Sequence, residues 1–109
     1  MASKILLDAV TSAQTGPQTT IESSDLASAT GKTVVQVTSV GGSGTATVIL
    51  EGSLDLIGWV PLVTVNLTAA SGVVTDGAYI ESTWRFLRAR ATLVPSGSAI
   101  TTTVYRVGV

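Results

Sequence analysis

The side chains able to do chemistry are few. The chain has no histidine and no cysteine. That removes the commonest general base and transition-metal ligand. It also removes disulfides, thiolate nucleophiles and the common structural zinc sites. The carboxylates are Asp8, Glu22, Asp25, Glu51, Asp55, Asp76 and Glu81. A pair of them would suit glycoside hydrolysis, but nothing in their spacing brings two together. Turns and solvated strand faces are their ordinary place. Serine lacks a base, because neither Lys4 nor Lys32 stands in a Ser-x-x-Lys spacing. Gly41-Gly42-Ser43-Gly44 lacks the lysine and the helix of a phosphate loop, and reads as a flexible hairpin. Glu51, Asp55 and Asp76 offer oxygen ligands for calcium, without the Asp-x-Asp-x-Asp-Gly pattern. The expectation is a protein that is not an enzyme and uses no cofactor and no metal.

Charge and aromatic placement say more. All seven acids lie at or before Glu81, while Arg85, Arg88, Arg90 and Arg106 follow it. Period-two alternation puts Trp84, Phe86, Arg88 and Arg90 on one strand face. Exposed, that set has the composition of a protein-interface hot spot, or of a stacking platform for single-stranded nucleic acid. Buried, Trp84 and Phe86 are core and the arginine stems lie along its edge. Few arginines and no lysine support give little basis for tracking phosphates. Trp59 follows a tight turn and reads as a cap on the core at a strand start, with a sugar platform as the functional alternative.

The elements that hold these residues are strands. The composition includes 17 Thr and 15 Val by count of the sequence, and β-branched residues favour pleated strands. Ala46, Val48 and Leu50 alternate with polar neighbours. So do Val63, Val65 and Leu67; Leu87, Ala89, Ala91 and Leu93; and Ile100, Thr102 and Val104. Thr33 to Val40 is a further strand, more apolar on both faces. Val73 to Ile80 is one strand, or two pieces about Asp76-Gly77. Turn signals at Gly41–Gly44, Leu56–Gly58, Ala70–Gly72 and Pro95–Gly97 separate them. Short strands at this spacing predict an all-β antiparallel sandwich, jelly-roll-like. The best helical candidate, Ser24 to Thr30, is equally well a loop.

One domain fits 109 residues. Residues 1–31 read as an N-terminal arm with an edge strand at Ile5 to Val10 and a long loop. Residues 32–109 form the sandwich. The net charge of −1 gives no bias toward nucleic acid or acidic membranes. No apolar run approaches the ~20 residues of a spanning helix. Ile5-Leu6-Leu7 ends at Asp8, short of the ~7–15 apolar residues of a signal peptide. The expectation is synthesis in a bacterial cytoplasm without a signal peptide.

Three stretches resemble a family. Val48 to Leu62 contains Glu51-Gly52-Ser53, Asp55, Trp59 and Leu62. This is similar to a strand-and-turn pattern of small tailed-bacteriophage virion structural proteins of the β-sandwich decoration (cement) type. Trp84-Arg85-Phe86-Leu87-Arg88-Ala89 resembles a second strand of that family, and Leu6-Leu7-Asp8-Ala9-Val10-Thr11 resembles its start. The sequence departs at Leu56-Ile57, where the family has polar turn residues. The resemblance implies a virion component on the capsid surface, bound to the major capsid protein and to copies of itself, with a homotrimer expected. A head-fibre, neck or tail component is the near alternative, and a carbohydrate-binding module a further one. The implied contacts are Leu56, Ile57, Trp84, Phe86, Arg88, Arg90 and the opening Ile5, Leu6 and Leu7. No small-molecule substrate, nucleic acid or membrane is implied.

Overall fold

The computed structural model describes residues 4–16, 19–20, 32–80, 84 and 86–107, with backbone alone at 4, 19, 20, 32, 106 and 107. The helical candidate at 24–30 and Arg85 lie outside the described residues. The strands are β1 (Lys4–Val10), β2 (Gln14–Thr15), β3 (Thr19–Thr20), β4 (Lys32–Val40), β5 (Gly44–Ser53), β6 (Val60–Ala69), β7 (Val73–Ile80), β8 (Phe86–Leu93) and β9 (Ala99–Val107). They form two antiparallel sheets. One has the order β1-β9-β4-β7; the other has β2-β8-β5-β6, with β3 also on β8. If β2 and β3 count as one interrupted strand, first pairs with last, second with next to last, and so inward to the β5–β6 hairpin. That winding is a jelly roll, the predicted sandwich.

Alternation explains why the sheets pack. On β4, Thr33, Val35, Val37 and Ser39 are buried, while Val34, Gln36 and Val40 face water. On β9, Ile100, Thr102 and Val104 are buried. Opposite them lie Ala46, Val48 and Leu50 of β5 and Leu87, Ala89 and Ala91 of β8. Branched side chains from the first sheet thus meet small and leucine side chains from the second. Burying each large apolar side chain contributes about 1.5–3 kcal/mol.

Several sequence expectations need correction. Leu6 and Leu7 are not contact residues: both are buried in the core, together with Val10. The β1 ladder against β9 skips Leu6 between Ile5 and Leu7, and is irregular again between Leu7 and Val10. These bulges turn two consecutive leucines inward. The chain then crosses to the other sheet, where β2 and β3 pair with β8. β1 is thus the edge strand expected at Ile5 to Val10, and with β2 and β3 it closes one side of the sandwich. Leu93 is exposed, because the β5–β8 register shifts between Ala91 and Leu93; Val94 packs on the core instead. Gly41 to Gly44 is no hairpin. It carries the chain from β4 to β5 in the other sheet, with Gly41, Gly42 and Gly44 all at positive φ, a region open to glycine at little cost. Val73 to Ile80 is a single strand with eight unbroken pairs to β4.

Among the described residues, two hydroxyls sit unsatisfied in the core. Ser39 Oγ and Thr102 Oγ1 are buried without a hydrogen-bond partner. A buried unpaired hydroxyl costs about 1–3 kcal/mol. Thr102→Val keeps the shape and removes the hydroxyl. It should stabilise the fold by about 1 kcal/mol, raising the melting temperature by about 4 °C in calorimetry. A lower melting temperature would show that the hydroxyl is bonded after all.

Candidate interaction site

Two features stand out on the second sheet: a buried ion cluster on its outer face and an apolar loop at its end. The cluster begins at a bulge. The β5–β6 ladder shifts between Leu50 and Glu51, and Glu51 sits across from Arg88 on β8. Its carboxylate accepts a hydrogen bond from Arg88 Nε at 2.8 Å and pairs with Arg90 Nε at 3.4 Å. Glu51 is only 5% exposed. The Arg88 guanidinium also lies over the Trp59 ring, 4.2 Å from its centre. Arg88, Arg90, Trp59 and Glu51 are thus one assembly. Both arginines share the one carboxylate, so the cluster keeps a net charge of +1, with Arg90 the more exposed of the two. One face of Trp59 is occupied, which weighs against a sugar platform there.

Trp84 takes the core role that was one of its two readings, while Trp59 does not take the one expected of it. Trp84 precedes β8, so it is not bound by that strand's parity. It packs against the core over Gly52, where a Cβ would come within 2.7 Å of the indole. Trp59, expected as the core cap, instead lies outside under Arg88. Phe86 is half-buried at the start of β8, beside Ser53. The structure therefore joins Arg88 and Arg90 and sets Trp84 apart from them.

The apolar loop is the turn from Ser53 to Trp59. Ser53 Oγ accepts hydrogen bonds from the backbone N–H of Asp55 (3.2 Å) and Leu56 (2.9 Å), and donates to Asp55 Oδ1 (3.1 Å). Asp55 Oδ1 accepts the N–H groups of Ile57 and Gly58, each at 2.9 Å. These bonds hold the Asp55 carboxyl below its ordinary value of 3.8, the Ile57 amide most and then that of Gly58. Leu56 sits at φ +64°, a region a bulky residue occupies only under constraint, at about 1–3 kcal/mol. The loop so fixed presents Leu54, Leu56 and Ile57, which are 67%, 41% and 85% exposed. Leu56 and Ile57 carried a sequence signal, since two aliphatic residues in a turn are out of place. Leu54 carries no such signal by itself, although it belongs to the same Ser-Leu-Asp-Leu-Ile run. Ile5 is exposed too, but on β1 of the other sheet.

Among the described residues, no group of three or more acidic side chains could hold a metal ion. Glu51 binds the arginines, Asp55 ties the loop, and Asp76 accepts the Gly77 N–H at 2.8 Å. Among the described residues, no helix is long and apolar enough to cross a membrane.

The fold has a solved counterpart. The crystal structure described as PBSX exported protein XepA superposes over 99% of this chain, with a TM-score of 0.65 and 17% identity. This chain spans about 37% of that protein's length. At that identity the likeness is one of fold. No family model matches the chain, and no curated protein matches it in sequence.

Two outcomes follow from the geometry. Removing one partner from a buried ion pair costs more than removing an exposed one. Arg88→Ala, which takes the shorter bond to Glu51 and the Trp59 contact, should lower stability by about 2 kcal/mol in urea denaturation. Arg90→Ala, at the more exposed partner, should cost less than half of that; equal losses would dissolve the distinction. The second outcome concerns pH. The folded-state value of Asp55 lies below its unfolded value, so its contribution is complete above 3.8 and lost as pH falls through the folded value. The Ile57 and Gly58 amides should keep their exchange protection at pH 5 and lose it first in acid, below 3.8. Loss of protection already at pH 5 would contradict the assignment.

Proposed function

We propose that this chain is a structural protein of a phage particle, a decoration protein that binds the outside of the major capsid shell and stabilises it. The observation that carries the reading is the β5–β6 loop: three aliphatic side chains held in water by a strained, hydrogen-bonded turn. Such an apolar tip fits a contact with another protein. The fold is compatible with the reading, since one solved structure that shares it is described as PBSX exported protein XepA. The residue inventory agrees as well. The task requires binding only, and the described acids other than Asp8 already have structural partners. The site of action would be the virion surface, after synthesis in the bacterial cytoplasm. Attachment would gain strength from repetition over many copies rather than from one tight contact.

The test is co-sedimentation with empty shells of the major capsid protein encoded by the same phage. The wild-type chain should sediment with the shells. Ile57→Asp should keep the far-ultraviolet circular dichroism of the fold and weaken attachment about 10-fold or more, the value of one buried aliphatic side chain. Leu56→Gly should match or exceed wild-type stability, because glycine accepts the left-handed backbone, while also losing attachment. Binding to tails but not to shells would replace decoration with a tail role. Shell binding untouched by both substitutions would remove the loop from the mechanism.

A further inference from the structure

One dipeptide in the chain carries a reaction of its own. In an Asp-Gly pair the glycine nitrogen can attack the carboxyl carbon of the preceding side chain, and glycine has no Cβ to hinder the approach. Asp76-Gly77 is the one such pair in the sequence. It lies in the middle of β7 rather than in a turn. There the Gly77 N–H donates to Asp76 Oδ1 at 2.8 Å. The carbon open to attack is one bond beyond that oxygen, and reacting atoms poised for attack stand about 3–3.5 Å apart.

The other described aspartates are arranged differently. Asp8 is followed by Ala9, whose N–H goes to Thr101 Oγ1 at 3.1 Å. Asp55 is followed by Leu56, whose N–H goes to Ser53 Oγ at 2.9 Å. The Asp55 carboxylate takes the N–H groups of Ile57 and Gly58 instead. Among the described aspartates, Asp76 alone holds the next amide on its own carboxyl. Its position also gives access. In its sheet β7 pairs with β4 on one side and has no strand on the other. Asp76 and Gly77 are both exposed, and with Thr75 and Tyr79 they line an open depression. An edge of this kind opens locally more readily than a central strand.

We propose that Asp76 is a site of spontaneous backbone isomerisation. Gly77 N bonds to Asp76 Cγ, the amide proton passes to solvent, and one carboxyl oxygen leaves as water. A five-membered succinimide ring results. A second water then adds at one of the two ring carbonyls. Breaking the N–Cγ bond restores aspartate. Breaking the original peptide bond leaves the chain running through Cβ and Cγ, as isoaspartate. One water leaves and one enters, so the composition is unchanged and no oxidant or reductant takes part.

The product alters the sheet. An isoaspartyl link adds one methylene to the backbone of β7. The β4–β7 pairs run unbroken from Thr33 with Ile80 to Val40 with Val73, so an extra backbone atom at 76 puts one half of β7 out of register with β4. Age would thus loosen this edge of the sandwich.

The experiment is incubation of the intact folded chain in water enriched in oxygen-18, at pH 6 and 37 °C for several weeks. A parallel sample is unfolded in guanidinium chloride. Isoaspartate is read by enzymatic methylation with an isoaspartyl methyltransferase, and its position by electron-transfer fragmentation. Isoaspartate and heavy oxygen should gather at residue 76 of the folded chain, at a rate within about 10-fold of the unfolded one. Asp8 and Asp55 should show at least about 10-fold less. Asp76→Glu, which would need a larger ring, should lose both signals by about 10-fold or more. Backbone amides of β7 should exchange faster in the isomerised fraction than in fresh protein. A folded chain that stays unlabelled while the unfolded one reacts would overturn the proposal. So would labelling spread evenly over the aspartates, methylation indifferent to Asp76→Glu, or unchanged exchange along β7.

Discussion

The structure depends on one constraint: each strand must keep a dry side and a wet side across two facing sheets. The central strand pairs β4–β9 and β5–β8 satisfy it almost without interruption. Their inward positions are Val, Ile, Leu, Ala and Thr, and their outward positions are predominantly Thr, Gln, Val and Arg. Since a one-residue slip would exchange the two sets, the burial pattern itself pins the register. The jelly-roll winding follows, because most connections must switch sheets to keep successive dry sides facing each other. The bulges are local repairs to this rule. The one in β1 turns Leu6 and Leu7 inward together, and the one near Leu93 hands its core position to Val94.

That same constraint explains where charge went. Among the described residues, the charged side chains of Asp8, Glu51, Asp55, Asp76, Arg88 and Arg90 stay out of the hydrophobic core. Glu51 is the instructive case: it is buried, but on the outer face, under two arginines and beside a tryptophan. A lone carboxylate so placed would be strongly unfavourable; with Arg88 and Arg90 it fastens β5 to β8 at the point where the β5–β6 ladder is already irregular. Packing and charge are therefore linked through one bulge.

The strands were legible because alternation is a short-range signal. Ala46-Val48-Leu50 and Leu87-Ala89-Ala91 are buried just where period two puts them. Features that depend on breaks in the period were not legible. Leu6 and Leu7 looked like an exposed apolar opening, since a bulge leaves no composition signature. Trp84 was placed with Arg88 by parity, though it stands outside the strand. Glu51 looked like one solvated acid among seven, since its partners lie 37 and 39 positions away in sequence. The loop was half legible: Leu56 and Ile57 stood out in a turn, but the bonds from Ser53 and Asp55 that fix it are visible only in three dimensions.

Those bonds bear most on function. A free loop of three aliphatic residues would tend to fold back onto nearby apolar surface, since its exposure is unfavourable. Here a serine hydroxyl and an aspartate carboxylate together bind four backbone amides, and Leu56 is held in a left-handed conformation that leucine avoids. Strain of this kind persists only where neighbouring interactions over-determine it. Ordering the tip before binding lowers the entropy lost on contact, so a small apolar area can hold better than its size suggests. What the fold provides is surfaces of different character: on the second sheet a face where Arg88 and Arg90 share Glu51, and at the end of that sheet an apolar tip. The tip combines exposure, fixed geometry and backbone strain, and these are the features on which the proposed attachment rests.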